Sequence, residues 1–165
     1  MQFPADAALW FLPFVLPLCY TVALTDLRGM RIPNWTVDLL AVIYVAVGAV
    51  VMPNWADYGW HLLHLPVGIG LGFLFYSAGA VGAGDAKFAG AAAPFFALGD
   101  LRLLMVIFAA TLLAGFTAHR IAKYTPLRQL APHWQSWETG KSFPMGLCLG
   151  GTLALYLILA ALFGS

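Results

Sequence analysis

Residues 7–25 contain no charged side chain. The run is close to the roughly 20 residues that cross a hydrocarbon core of about 30 Å. A backbone in hydrocarbon must satisfy its own hydrogen bonds, so such a run is constrained to be a helix. The pattern recurs along the chain. Further apolar helices are expected over residues 35–52, 62–81, 86–98, 101–118 and 143–163. Only 9% of the 165 residues are charged, against roughly 25% in soluble domains. The fold expected is all-α and polytopic: a bundle of six transmembrane helices, one domain over residues 1–165, with the lipid bilayer as its solvent. The first charge is Asp6 and no basic segment precedes it. The first run is therefore expected to stay as a membrane helix and not to be removed as a signal peptide.

The breaks between runs carry most of the polar residues. The first is Asp26-Leu27-Arg28-Gly29-Met30-Arg31-Ile32-Pro33-Asn34. Gly29 suits a tight turn, Pro33 disfavours helix at Ile32, and Asn34 suits the cap of the next helix. Asp38 is expected in that helix's first turn, where a carboxylate meets the helix dipole favourably. Residues 53–59 read as a turn-rich loop with interfacial aromatics. Gly68, Gly70 and Gly72 offer the third helix small surfaces for close packing. The segment from Gly82 to Gly84 is expected to break it. The fourth run is short, about 20 Å at 1.5 Å per residue, and contains Pro94. Either it begins inside the glycine segment or Asp85 lies below the membrane surface.

Six alternating spans place Arg28, Arg31, Lys87, Arg120, Lys123, Arg128 and Lys141 on one side, leaving only Arg102 of the eight basic residues on the other. The positive-inside rule assigns the first side to the cytoplasm. Both termini are then expected outside. Asp26 and Asp85 share the cytoplasmic face, whereas Asp57, Asp100, His61 and His64 lie on the far one.

Gly79-Ala80-Val81-Gly82-Ala83-Gly84-Asp85-Ala86-Lys87 sets an acid and a base inside apolar sequence. An ionisable residue in such a setting is a functional hypothesis by default. Asp26 is the partner expected for Asp85. Two carboxylates held close together cannot both ionise easily, so they share a proton. The ionised one takes a proton from water, and the protonated one polarises a scissile carbonyl. The glycines before Asp85 allow close approach of backbone and substrate. Lys87 either attracts an anionic group or anchors its helix at the headgroups.

Other chemistries lack their motifs. Cys19 and Cys148 stand singly in apolar runs and read as small buried hydrophobes. No Cys-x-x-Cys, His-Glu-x-x-His or Gly-x-Ser-x-Gly occurs, which counts against zinc-peptidase and serine-hydrolase readings. No metal or cofactor is expected. His119 and His133 have no third partner at ligand spacing. A net charge of +1 without a basic cluster gives no footing for nucleic acid.

Asp26 followed by Arg31-Ile32-Pro33-Asn34, then Gly82-Ala83-Gly84-Asp85-Ala86-Lys87, resembles the type IV prepilin peptidase family. The resemblance implies that Asp26 and Asp85 are catalytic, the second within a Gly-x-Gly-Asp motif. Gly82, Gly84, Lys87, Ile32, Pro33 and Asn34 then become supporting motif residues. It is closer to the short members, which serve tight-adherence (Flp-type) or archaeal-like pilins. Longer members carry a cysteine-containing region linked to N-methylation, and no such region is expected here. Pro144-Met145-Gly146 echoes the family's start of the last helix, although an aromatic often stands where Met145 does. Asp38, Pro144 and Gly146 are candidate substrate contacts. The implied substrates are prepilins or pseudopilins: a short basic leader, a small residue before the cut, then a hydrophobic helix. Cleavage is implied at the cytoplasmic face of the inner membrane. Two alternatives stay open: a non-catalytic transporter or pilus-assembly scaffold, and a Gly-x-Gly-Asp peptidase for other membrane helices. Peptidases of the presenilin type usually pair that motif with a Tyr-Asp that this chain lacks.

Overall fold

Between apolar helices in lipid there is little hydrophobic drive, so close packing of small residues decides which helices touch. The computed structural model describes residues 1–140 and 142–164. Lys141, counted above among the basic residues, lies outside the described residues. Six α-helices follow in order: α1 (Ala5–Gly29), α2 (Asn34–Val51), α3 (Trp55–Ser77), α4 (Ala83–Ala92), α5 (Leu101–Tyr124) and α6 (Met145–Phe163). No strand occurs among the described residues.

Four helices are long and apolar enough to cross a membrane: α1, α2, α6, and α5 with the short turn before it (Leu98–Tyr124). The chain is thus an all-helical membrane protein. The expectation of six spans is met by length and composition in only four helices. α3 opens with Asp57, His61 and His64 in its first turns. α4 has ten residues, about 15 Å.

α1 and α6 form the axis of the bundle. A Cβ on Gly150 would lie 2.9 Å from the Cys19 carbonyl oxygen, so α6 can approach α1 this closely only with glycine there. α3 and α4 pack through three glycines. A Cβ on Gly68 would meet Ala93 at 2.8 Å, one on Gly72 the Ala86 carbonyl at 2.7 Å, and one on Gly90 the Ile69 side chain at 2.8 Å. Gly70 has open space instead. The core between α1, α2 and α6 is aromatic. Phe11 stacks on Tyr44 (centroids 5.6 Å apart), and both meet Phe95 edge-on. Cys19 and Cys148 are buried and unpaired with each other.

Several local expectations are corrected. Met30, not Gly29, turns the chain out of α1, with φ 51° and its N–H on the Asp26 carbonyl oxygen. Pro33 occupies the cap position of α2, and Asn34 is its first helical residue. Asp38 is exposed and lies past the first turn. Residues 55–59 are helical, because Asn54 caps α3 by accepting the Asp57 N–H at 2.8 Å. The break after α3 falls at Gly79 (φ 71°), and Gly82 instead caps α4, which begins inside the glycine segment. α5 continues to Tyr124, well past residue 118.

One end of the bundle is tied by Asp100. Its buried carboxylate accepts the N–H groups of Gln2 (2.9 Å) and Phe3 (3.3 Å) and the Tyr156 hydroxyl (2.9 Å). This joins the start of α1, the start of α5 and the middle of α6. Removing a buried acceptor leaves its donors unsatisfied. Asp100→Ala is expected to cost about 2–4 kcal/mol, read as a lower unfolding temperature in detergent. Activity per folded molecule should be unchanged, since this end lies roughly 35 Å along α1 from Asp26.

Candidate active site

α1 ends where α4 and α6 begin, and this meeting of helix ends builds the site. Asp26 lies in the last turns of α1 and is buried despite its charge. A buried carboxylate needs donors. Asp26 Oδ2 accepts the backbone N–H of Gly146 at 2.6 Å. Gly146 is the second residue of α6, where N–H groups have no partner inside the helix. Pro144, the residue capping α6, carries no N–H to compete.

Asp85 sits three residues after Gly82, the cap of α4. From there its carboxylate turns back over the cap, so that a Cβ on Gly82 would lie 2.8 Å from Asp85 Oδ2. This is the geometry of a capping box's acidic member. Asp85 is half-buried, outside the four spanning segments. Burial pushes its carboxyl above the ordinary carboxylate range, while the Gly82 backbone N–H pulls the other way.

The two aspartates line one cavity of about 260 Å³, with Met30, Arg31, Ile32, Gly82, Ala83 and Gly84. Neither Met30 nor Arg31 was singled out for the site from sequence. The signal for Arg31 was its place between the acid and Ile-Pro-Asn, where it brings a cation to the cavity wall.

The supporting motif residues also converge. A Cβ on Gly84 would meet Ile32 Cβ at 3.3 Å, so α4 begins pressed against the α1–α2 turn. Lys87 Nζ donates to Asn34 Oδ1 at 3.1 Å. Pro33 offers its carbonyl to the Thr36 hydroxyl at 2.7 Å, which fixes the first turn of α2. Ile32 and Asn34 thus meet the start of α4 through Gly84 and Lys87. Asp38 is exposed and does not line the cavity. Gly146 holds Asp26, a different role from the substrate contact expected of it. Pro144 is buried beside it.

Arg31 lines the cavity, Arg28 lies in the last turn of α1, and Arg120 and Lys123 stand near the end of α5 at the same end of the bundle. Arg102 stands at the other end, beside Asp100. There too the chain ends meet, the Met1 ammonium donating to the Phe163 carbonyl oxygen at 2.9 Å. Among the described residues, no group of three or more His, Cys, Asp or Glu is placed to hold a metal ion.

A model of the type IV leader peptidase family matches residues 13–119. The chain belongs to this family. No curated protein and no solved structure matches it. The matched stretch contains Asp26, Ile32-Pro33-Asn34 and Asp85, but not the start of α6 that holds Asp26. Membership makes the chain a leader-peptidase-type hydrolase set in a membrane.

Proposed function

We propose that this leader peptidase is an aspartic endopeptidase that removes the leader from prepilin-like substrates, with Asp26 and Asp85 activating one water. The observation that carries this reading is the shared cavity: two acids distant in sequence line the same 260 Å³ space at one end of the bundle. One proton shared between them lets the ionised carboxylate act as base toward water while the protonated one polarises the scissile carbonyl. No metal and no covalent intermediate is needed. Burial of Asp85 favours keeping that proton to higher pH than an ordinary carboxylate would.

On this reading α3 and α4, locked together through Gly68, Gly72 and Gly90, complete six crossings. The end bearing the acids faces the cytoplasm of the inner membrane, because the described basic residues other than Arg102 gather there. The substrate is a pilin or pseudopilin with a basic leader, and the resemblance points to the tight-adherence type. A scaffold or transporter would make no use of two acids in one open cavity at a single end of the bundle.

Purified protein in detergent, given a synthetic prepilin, is expected to release the leader fragment, read by mass spectrometry. A protein that binds the prepilin without cutting it would be a scaffold. Alkaline phosphatase fusions at Asp57 and Gln129 check the orientation. The Asp57 fusion should be active and the Gln129 fusion silent, and the reverse would invert the topology.

A further inference from the structure

We propose that the concave apolar cleft between the α3–α4 pair and α5 seats the membrane-embedded helix of the substrate and delivers its chain to the acids at Asp85. This deepens the peptidase reading above and rests on it.

α5 packs along α6 and hardly touches α3 or α4. Only 6% of its spanning stretch is buried, against 44% for α6. The gap left behind holds three cavities of about 230, 270 and 310 Å³. They form one cleft, because each shares wall residues with the others. Leu104 and Phe96 line the first two, Ala89 and Phe108 the second and third, and Gly68 and Leu71 the first and third. Along α3 the wall runs from His64 to Phe75 on one helix face. That is about 17 Å at 1.5 Å per residue, more than half of a hydrocarbon core of about 30 Å.

The walls say what fits. Thr152 spends its hydroxyl on the Cys148 carbonyl and on Thr111. Apart from His64 at the far end and Asp85 at the near one, the rest of the wall is apolar. An extended strand would find no partners for its N–H and C=O groups here. A helix satisfies its own, so a helix is the form of polypeptide the cleft accepts. Gly68, Ala89 and Ala93 keep the floor shallow, which lets a helix backbone come close.

Asp85 lines both the cleft and the cavity it shares with Asp26. A helix lying in the cleft therefore presents its next residues, as they leave the helix, to the two acids. The groove on the opposite flank of α3 and α4 holds about 390 Å³ and is lined by Ile69, Phe73, Tyr76, Ala83, Ala86 and Lys87. It contains neither acid. It shares only Ala83 with the cavity of the two acids, whereas the cleft reaches that cavity through Asp85 itself.

The test uses the whole protein in detergent and a synthetic peptide with a basic leader, glycine before the cut and an apolar helix of about 20 residues. Benzoylphenylalanine replaces Met105, an exposed cleft residue, or Phe73 on the other flank, each in an Asp26→Asn background so that the peptide is not consumed. Irradiation is expected to give adducts with the peptide helix from position 105 and none from 73. In parallel, Ala89→Trp should raise KM for this peptide about 10-fold while kcat holds, the mark of lost uniform binding, and Phe73→Trp should change neither. If the wild-type protein cuts the peptide but adducts form from 73, or from neither position, the cleft holds lipid only and the proposal is overturned. If adducts form from 105 while the wild-type protein cuts nothing, the seat stands and it is the peptidase reading that fails.

Discussion

Asp26→Asn and Asp85→Asn are each expected to abolish leader release while the protein still folds and inserts. Asparagine keeps the shape of the side chain and can still accept the Gly146 N–H at position 26. What it removes is the ionisable carboxyl that can take up and give back a proton. General acid–base catalysis by a positioned group contributes about 10²- to 10⁴-fold, and each single variant should lose at least that much in kcat. The two acids act as one unit, so the double variant should be no slower than either single one. Asp57→Asn is the matched control: that residue pairs with Asn54 at the start of α3 and touches neither acid. The rate of the unaltered protein should fall on the alkaline side as the pair gives up its shared proton, with an apparent pKa that belongs to both residues together. Burial of Asp85 moves that limb above the range of a free carboxylate. Measuring kcat against pH checks it. A motif-acid variant that cuts at the full rate would remove the two-acid mechanism.

Much of this molecule was legible in its sequence, and the parts that were not share a physical reason. Apolar runs of spanning length located α1, α2 and α6 to within a few residues, because lipid leaves the backbone no choice but helix. Asp85 and Asp26 stood out because charge is so scarce. Helix ends were harder. Met30 adopts a left-handed conformation that Gly29 beside it would take more easily; which residue turns depends on where the α1 backbone stops, not on local preference. The start of α3 depends on Asn54 and Asp57 capping each other, a signal that interfacial aromatics around it obscured. The count of spans remained ambiguous for the same reason that the cleft exists: α4 is short and α5 stands apart from it. Tertiary roles were the least readable. Nothing in Pro144-Met145-Gly146 announces that its third residue's N–H will meet an acid near the other end of the chain.

That contact makes the second large prediction. Gly146 donates to Asp26 at 2.6 Å, and a Cβ added to it would sit 2.9 Å from Asp26 Cβ and 3.0 Å from Oδ2. Contacts that short cannot stand, so a side chain at 146 must displace either the carboxylate or the start of α6. A misplacement of about 1 Å at a reacting group costs around 10²-fold. Gly146→Ala is therefore expected to lower kcat about 10- to 100-fold, and Gly146→Val to leave no measurable cleavage. KM should stay near its original value, because the residue holds a catalytic acid and touches no substrate. The direction of that split separates two roles. A substrate contact at 146 would raise KM and spare kcat. Thermal unfolding in detergent separates both from simple loss of fold, since a variant that melts normally yet has lost kcat has lost placement of Asp26 alone. Full kcat in Gly146→Val would show that α6 does not position the acid, and the backbone N–H would then be only a way of satisfying a buried charge.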